Sequence, residues 1–267
     1  MYLLTLQAAK CSHSTTHSTI AANGRPFLLI PPDLDPQSLV QMDGLIGVLH
    51  HQNHKGSRAP VEFYRTGQSM PCCGLPDEEN IHYPSAVAAQ GDRLAVAANG
   101  REFKGSIRLY RRSGEASFRL EQTINLKDHQ ARPIGIAFDG DDLLFASYSG
   151  QTLWRLTATG VSLVLDVTKF GQTTPIWALP RPTDIAVLGH VDGSLAIYDR
   201  KYGLPSRIIR NGLCYPWSVT STDEGLLVAN RGDETSRGCL VGFDAAGRQT
   251  GESELDGVVV VRSCPDQ

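Results

Sequence analysis

His51, Asn99, Tyr148, His190 and Arg231 stand at one corresponding point in five copies of a repeated phrase, each two residues beyond a segment of the L-x-V-A type. They are preceded by His50, Ala98, Ser147, Gly189 and Asn230, and Gln7 and Ala8 hold the same place in a sixth, partial copy. These residue types carry chemistry. A neutral imidazole binds transition metals or moves protons, a phenol donates or accepts a proton, and a guanidinium clamps a carboxylate through two parallel hydrogen bonds. His190, Tyr148 and Arg231 are therefore the candidate catalytic set. A metal reading uses His51 and His190, with His50, His54, His13 or His17 as the third ligand, because three protein ligands and one open position make a catalytic centre. Zinc, iron or copper suits such a set. Calcium is disfavoured, since the carboxylates Asp77, Glu78, Glu79 and Asp233 fall only in peripheral loops. The spacings C-x-H-x-x-x-H from Cys11 and H-H-x-x-H from His50 permit metal binding without diagnosing it. Solvated loop histidines are the open alternative. A nucleophilic thiol at Cys72 or Cys73, in MPCCGLPDEEN, is a further candidate on the histidine-bearing face, against the plainer reading of two small residues in a Pro/Gly-rich loop.

The elements that must position these groups follow from the repeat. A proline opens each copy at Pro36, Pro84, Pro133, Pro175 and Pro216, with spacings of 48, 49, 42 and 41 residues. Each copy continues through a D/G turn to the L-x-V-A strand. A second alternating strand follows (PVEFY, SIRLY, TLWRL, SLAIY, CLVGF) and ends at Gly67, Gly114, Gly160, Gly203 or Gly247. A polar strand such as FRLEQTINL closes the unit. Four short antiparallel strands per repeat of this period make a propeller blade. The blades run over about 36–83, 84–132, 133–174, 175–215 and 216–257.

Two fragments remain, and they complement one another. The tail DGVVVVRS reads as an innermost strand, and the 21 residues from Leu3 to Gly24 match the 21 from Leu226 to Gly247 in element order. The expected fold is all-β: a single-domain six-bladed β-propeller whose closing blade combines 258–267 with 1–35. A five-bladed ring with an N-terminal arm is the alternative.

The grammar of proline with small apolar residues, D/G turn, L-x-V-A and a glycine-flanked I-x-x-Y/F strand resembles the NHL and SMP-30-like six-bladed propellers. That resemblance covers almost the whole chain and is one of fold. It implies a group containing calcium-dependent lactonases, zinc-dependent amidoglycolate lyases and many binding modules, and fold does not choose among them. Within an antiparallel blade, the loop after the L-x-V-A strand and the connector to the next blade share one face. All eight histidines belong to that face. The connectors add Tyr83, Arg132, Trp177, Tyr215 and Trp217, which with Asn99 and Asn230 make a candidate ligand wall of aromatic and polar groups.

Net charge of −3 with scattered Lys and Arg excludes a phosphate-binding field, so nucleic acid is not an expected partner. The N-terminal apolar run is too short for a signal peptide and no stretch approaches spanning length, so the expectation is a cytoplasmic protein without membrane contact. Six cysteines without a disulfide or CxxC pattern agree with a reducing compartment. Two function classes remain. One is a small-molecule site, metal-assisted in its sharpest form and of lyase or hydrolase type. The other is a non-enzymatic platform that binds a protein partner on the histidine-rich face.

Overall fold

Runs of small and aliphatic residues buried on both faces, such as PSAVAAQ and RLAVAA, build the inner strands and let neighbouring sheets pack closely around an axis. The computed structural model describes residues 2–7, 18–22, 25–30, 36–50, 59–65, 68, 70–76, 81, 83–99, 105–201, 203–232, 238–254 and 258–264. Six four-stranded sheets are formed. Strands β1 (Tyr2–Gln7), β2 (Ser18–Ala22) and β3 (Arg25–Ile30) belong to the first blade. The second holds β4 (Pro36–Met42), β5 (Leu45–His50), β6 (Val61–Arg65) and β7 (Cys73–Gly74). The third holds β8 (Pro84–Gln90), β9 (Arg93–Ala98), β10 (Ser106–Gly114) and β11 (Ser117–Asn125). The fourth is β12 (Pro133–Asp139), β13 (Asp142–Ser147), β14 (Thr152–Thr157) and β15 (Gly160–Asp166). The fifth is β16 (Pro175–Pro180), β17 (Asp184–Gly189), β18 (Ser194–Asp199) and β19 (Pro205–Ile209). The sixth is β20 (Pro216–Thr222), β21 (Gly225–Asn230), β22 (Cys239–Asp244) and β23 (Gln249–Glu254). The last strand, β24 (Val258–Cys264), returns to the first blade, whose order is β24–β1–β2–β3.

The first strand of each blade is innermost. β4, β8, β12, β16, β20 and β24 follow one another around the axis, and β24 meets β4 to complete the ring. Register is the same in every blade. Pro36, Pro84, Pro133, Pro175 and Pro216 pair with His50, Ala98, Ser147, Gly189 and Asn230, and Val258 pairs with Gln7. The closing strand therefore occupies the position that a proline marks elsewhere. A register shift follows immediately in all six, leaving one extra residue: Gln37, Ser85, Ile134, Ile176, Trp217 and Val259.

The core lies between blades. Leu49, Val61 and Phe63 of the second blade pack on Val87, Val96 and Tyr110 of the third. Phe63 also stacks on Phe118, with ring centroids 4.4 Å apart. A larger cluster runs from Ala97 of the third blade through Phe145 and Leu188 to Val228 and Phe243 of the sixth. Close approach of inner strands is tightest at Gly135, where a β-carbon would lie 2.2 Å from the Ile176 carbonyl oxygen.

Two outcomes follow. Ending the chain before Val258 removes an innermost strand, unpairs the inner edge of β1 and breaks the packing of β24 on β20 and β4, so the truncated protein should melt far below the intact one by circular dichroism. Gly135→Ala should destabilise by about 1–3 kcal/mol through overpacking between the fourth and fifth blades, measured by denaturant unfolding.

Candidate functional site

Where the second strand of each blade reaches the histidine-bearing face, the side chains form two rows. The lower row, which pairs with the opening prolines, is buried at His50, Ala98, Ser147, Gly189 and Asn230. The upper row emerges: Asn99 is still buried, His190 is half-buried, and Tyr148 and Arg231 are exposed. Each upper-row residue is anchored by its backbone. Asn99, Tyr148, His190 and Arg231 donate their N–H groups to the carbonyls of Tyr83, Arg132, Thr174 and Tyr215, at 3.0, 3.1, 3.0 and 3.2 Å. Three of those acceptors, Tyr83, Thr174 and Tyr215, adopt left-handed backbone with φ of 54°, 51° and 50°. A non-glycine residue held there costs on the order of 1–3 kcal/mol, and such strain gathers at functional sites.

Four of these groups converge at the seam between the fifth and sixth blades. His190 Nδ1 lies 3.1 Å from the carbonyl oxygen of Pro216. A carbonyl only accepts, so Nδ1 carries the proton and, in the neutral ring, Nε2 carries a lone pair. The imidazole sits between two aromatic rings, Tyr215 at 5.2 Å and Trp217 at 5.1 Å between centroids, the latter edge-on. The Arg231 guanidinium stands over Trp217, 5.3 Å from the ring centroid. No carboxylate among the described residues pairs with it. Burial first, and then the positive charge of Arg231, push the His190 pKa below its ordinary value, opposed by the hydrogen bond to Pro216. The imidazole is thus kept neutral beside a permanent cation. Trp217 reaches this cluster because it is the extra residue of the β20 bulge, a device that re-aims a side chain.

The other expected residues divide. Tyr83, Tyr148 and Tyr215 are 45, 45 and 40 % exposed. Asn99 is buried, and among the described residues its Oδ1 has no hydrogen-bond partner. Asn230 is committed internally, accepting from the Cys214 N–H at 2.7 Å and donating to Cys239 Sγ at 3.5 Å. The Arg132 N–H is held by Ser147 Oγ at 3.0 Å.

Three expectations need correction. Trp177, expected on the ligand wall with Trp217, lies one residue further along its strand, pairs with Leu188, and is 3 % exposed in the core. His50 does not join His190. It alternates with Leu49, which packs on the third blade, so its ring turns toward the first. There, at 4 % exposure, its Nε2 lies 3.4 Å from Glu62 Oε2, which also accepts from the Tyr64 hydroxyl at 2.9 Å. Cys73 opens the outermost strand of the second blade and Cys72 directly precedes it, away from the innermost strands. His51 lies outside the described residues. Among those described, no three His, Cys, Asp or Glu side chains come together as a metal site would require. The sequence reading missed Thr174, because left-handed backbone leaves no mark at a threonine. It also missed the Pro216 carbonyl, although the repeated proline marked its position.

No protein-family model matches the chain, and no curated protein matches it in sequence. Solved structures do resemble it in fold. A chain from a nidogen/laminin complex superposes with a TM-score of 0.72 at 13 % identity, covering 98 % of this chain and 97 % of that one. A protein of unknown function from Bacteroides caccae gives a TM-score of 0.70 at 11 % identity, covering 98 % and 97 %. The periplasmic gluconolactonase PpgL of Pseudomonas aeruginosa gives 0.63 at 14 % identity, covering 94 % and 83 %. Identities this low show the fold alone. The chain is a β-propeller.

His190 should titrate below the ordinary histidine value of 6.5 in an NMR pH series, and Arg231→Gln should move it upward. As pH falls below 6.5, the unfolded chain binds a proton at this site that the folded chain refuses, so stability drops there and is unaffected above. The stability difference between wild type and His190→Gln should carry that slope. A flat difference from pH 7 to 5 would place the imidazole in ordinary solvent.

Proposed function

We propose that this propeller binds a small carboxylate-bearing molecule at the channel mouth, between His190, Tyr215, Trp217 and Arg231. One observation carries the reading: a neutral imidazole with its proton fixed on Nδ1 presents Nε2 beside an arginine without a carboxylate partner among the described residues. Arg231 receives the carboxylate, in two parallel hydrogen bonds when the approach is planar. The rings of Tyr215 and Trp217 cover the apolar body of the ligand. Nε2 of His190 then accepts a hydrogen bond, or a proton, from the group next to the carboxylate. Tyr148, exposed on the neighbouring blade's equivalent position, offers a second proton-bearing group. Lyase or hydrolase chemistry would begin with that proton transfer. No step is assigned to a metal, because the donor atoms of this cluster do not make a three-ligand set.

A second reading rests on the three exposed tyrosines of the same face. Tyrosine and arginine dominate the energetic centres of protein interfaces, and such a face suits a protein partner without chemistry.

Titration of Trp217 fluorescence distinguishes the two. A panel of small carboxylates and their matching amides should change the emission only for the acids. Arg231→Gln should weaken binding about 10- to 100-fold, the range of a lost charged hydrogen bond. Trp217→Phe should remove the signal while calorimetry still detects binding. Gluconolactone, the substrate class named for one solved neighbour, serves as the first turnover test. Silence across the panel, with a protein partner retained by the wild type and lost on Tyr148→Ala, would establish the interface reading instead.

A further inference from the structure

A cavity of about 270 Å³ lies at the seam between the third and fourth blades, with walls of Leu109, Phe138, Leu143 and Leu156. It is bordered by Asp141 and Ala158, which stand in the short turns opposite the histidine-bearing face. The preceding seam shows how the space arises. There Phe63, opposite Gly47 in the register, stacks on Phe118 of the third blade. Leu109 takes the corresponding place opposite Ala95, so no such stack fills the next seam. The one ring that lines the cavity, Phe138, is already covered by the Arg93 guanidinium at 4.9 Å from its centroid.

The charges around the cavity are matched within the protein. Arg93 donates to the Gly140 carbonyl at 3.0 Å and pairs with Asp141 at 3.3 Å, and Glu121 is held by Arg111 at 2.8 Å. The Thr157 hydroxyl donates to the Gly160 carbonyl at 3.2 Å. A charged occupant would therefore give up its water for no partner, which is costly. Gln122, the register neighbour of Leu109, supplies a neutral amide that both donates and accepts.

We propose that this seam is a binding site for a neutral, bicyclic aromatic molecule that carries one hydrogen-bonding group. An apolar cavity of about 150 Å³ accommodates benzene, so the larger space here fits two fused rings. The ligand lies against Leu109, Leu143 and Leu156 and supplies the aromatic packing that the chain provides one seam earlier. Its hydroxyl or N–H meets the Gln122 amide. The site shares no residue with the carboxylate site at the channel mouth and does not depend on it.

The test titrates 2-naphthol into the full chain, followed by calorimetry and by NMR of labelled leucine methyl groups. One molecule should bind per chain, moving the methyl signals of Leu109, Leu143 and Leu156 and leaving the His190 ring signals in place. The 2-naphthoate anion should bind about 10-fold or more weakly, since its charge finds no free partner. Leu109→Phe fills the space from within and should abolish binding without lowering the melting temperature, whereas Arg231→Gln should leave binding unchanged. If Leu109→Phe melts early, the methyl map of the wild type decides the question by itself. Absence of binding at millimolar 2-naphthol, saturation without those methyl shifts, full affinity in a folded Leu109→Phe, or equal affinity for the anion overturns the proposal.

Discussion

Each innermost strand enters the ring with one residue too many, and the architecture of the binding face depends on that constraint. A bulge bends its strand and increases local twist, which lets six inner strands converge without their side chains colliding at the axis. It also turns one side chain out of the alternation. Where that residue is Ser85, its hydroxyl reaches the Pro133 carbonyl of the next blade at 2.7 Å. Where it is Trp217, the indole becomes a wall of the site. The carbonyl of the following blade's proline is the common acceptor, taking Ser85 at one seam and His190 at another.

The two faces of the ring use arginine in opposite ways. On the face of the short turns, Asp139 is gripped by Arg155 and by Arg200 of the next blade, and Arg155 also holds Asp142 at 3.0 Å. Those charges are satisfied internally and tie blades together. Arg231 rests on the Trp217 ring, and among the described residues no carboxylate pairs with it. Its positive charge, after burial, lowers the basicity of the adjacent His190 imidazole. The cation and the imidazole are the two polar halves of the proposed site.

His50 shows how a one-residue difference changes a histidine's role. In a strand, neighbours point to opposite faces, so the last residue of β5 is committed to a blade seam. Its partner there is Glu62, buried alongside it. His190, one position later in its own blade, has left the sheet and is free to turn toward the mouth.

Repeat spacing, alternation and the prolines determined the ring in the sequence itself, including the closing strand, because a blade is specified by local periodicity and each copy repeats it. The register row was equally legible: the pairing of Val258 with Gln7 repeats that of Pro36 with His50. Position in the repeat register, together with residue type, was enough to mark Tyr215, Trp217, His190 and Arg231 as candidates. Tertiary structure alone decided that these four meet, that Trp177 is core, and that His50 faces away. The physical reason is that one bulge residue inverts which face a side chain occupies, and a backbone carbonyl fixes the imidazole's proton. Neither event depends on a residue type that the sequence can announce.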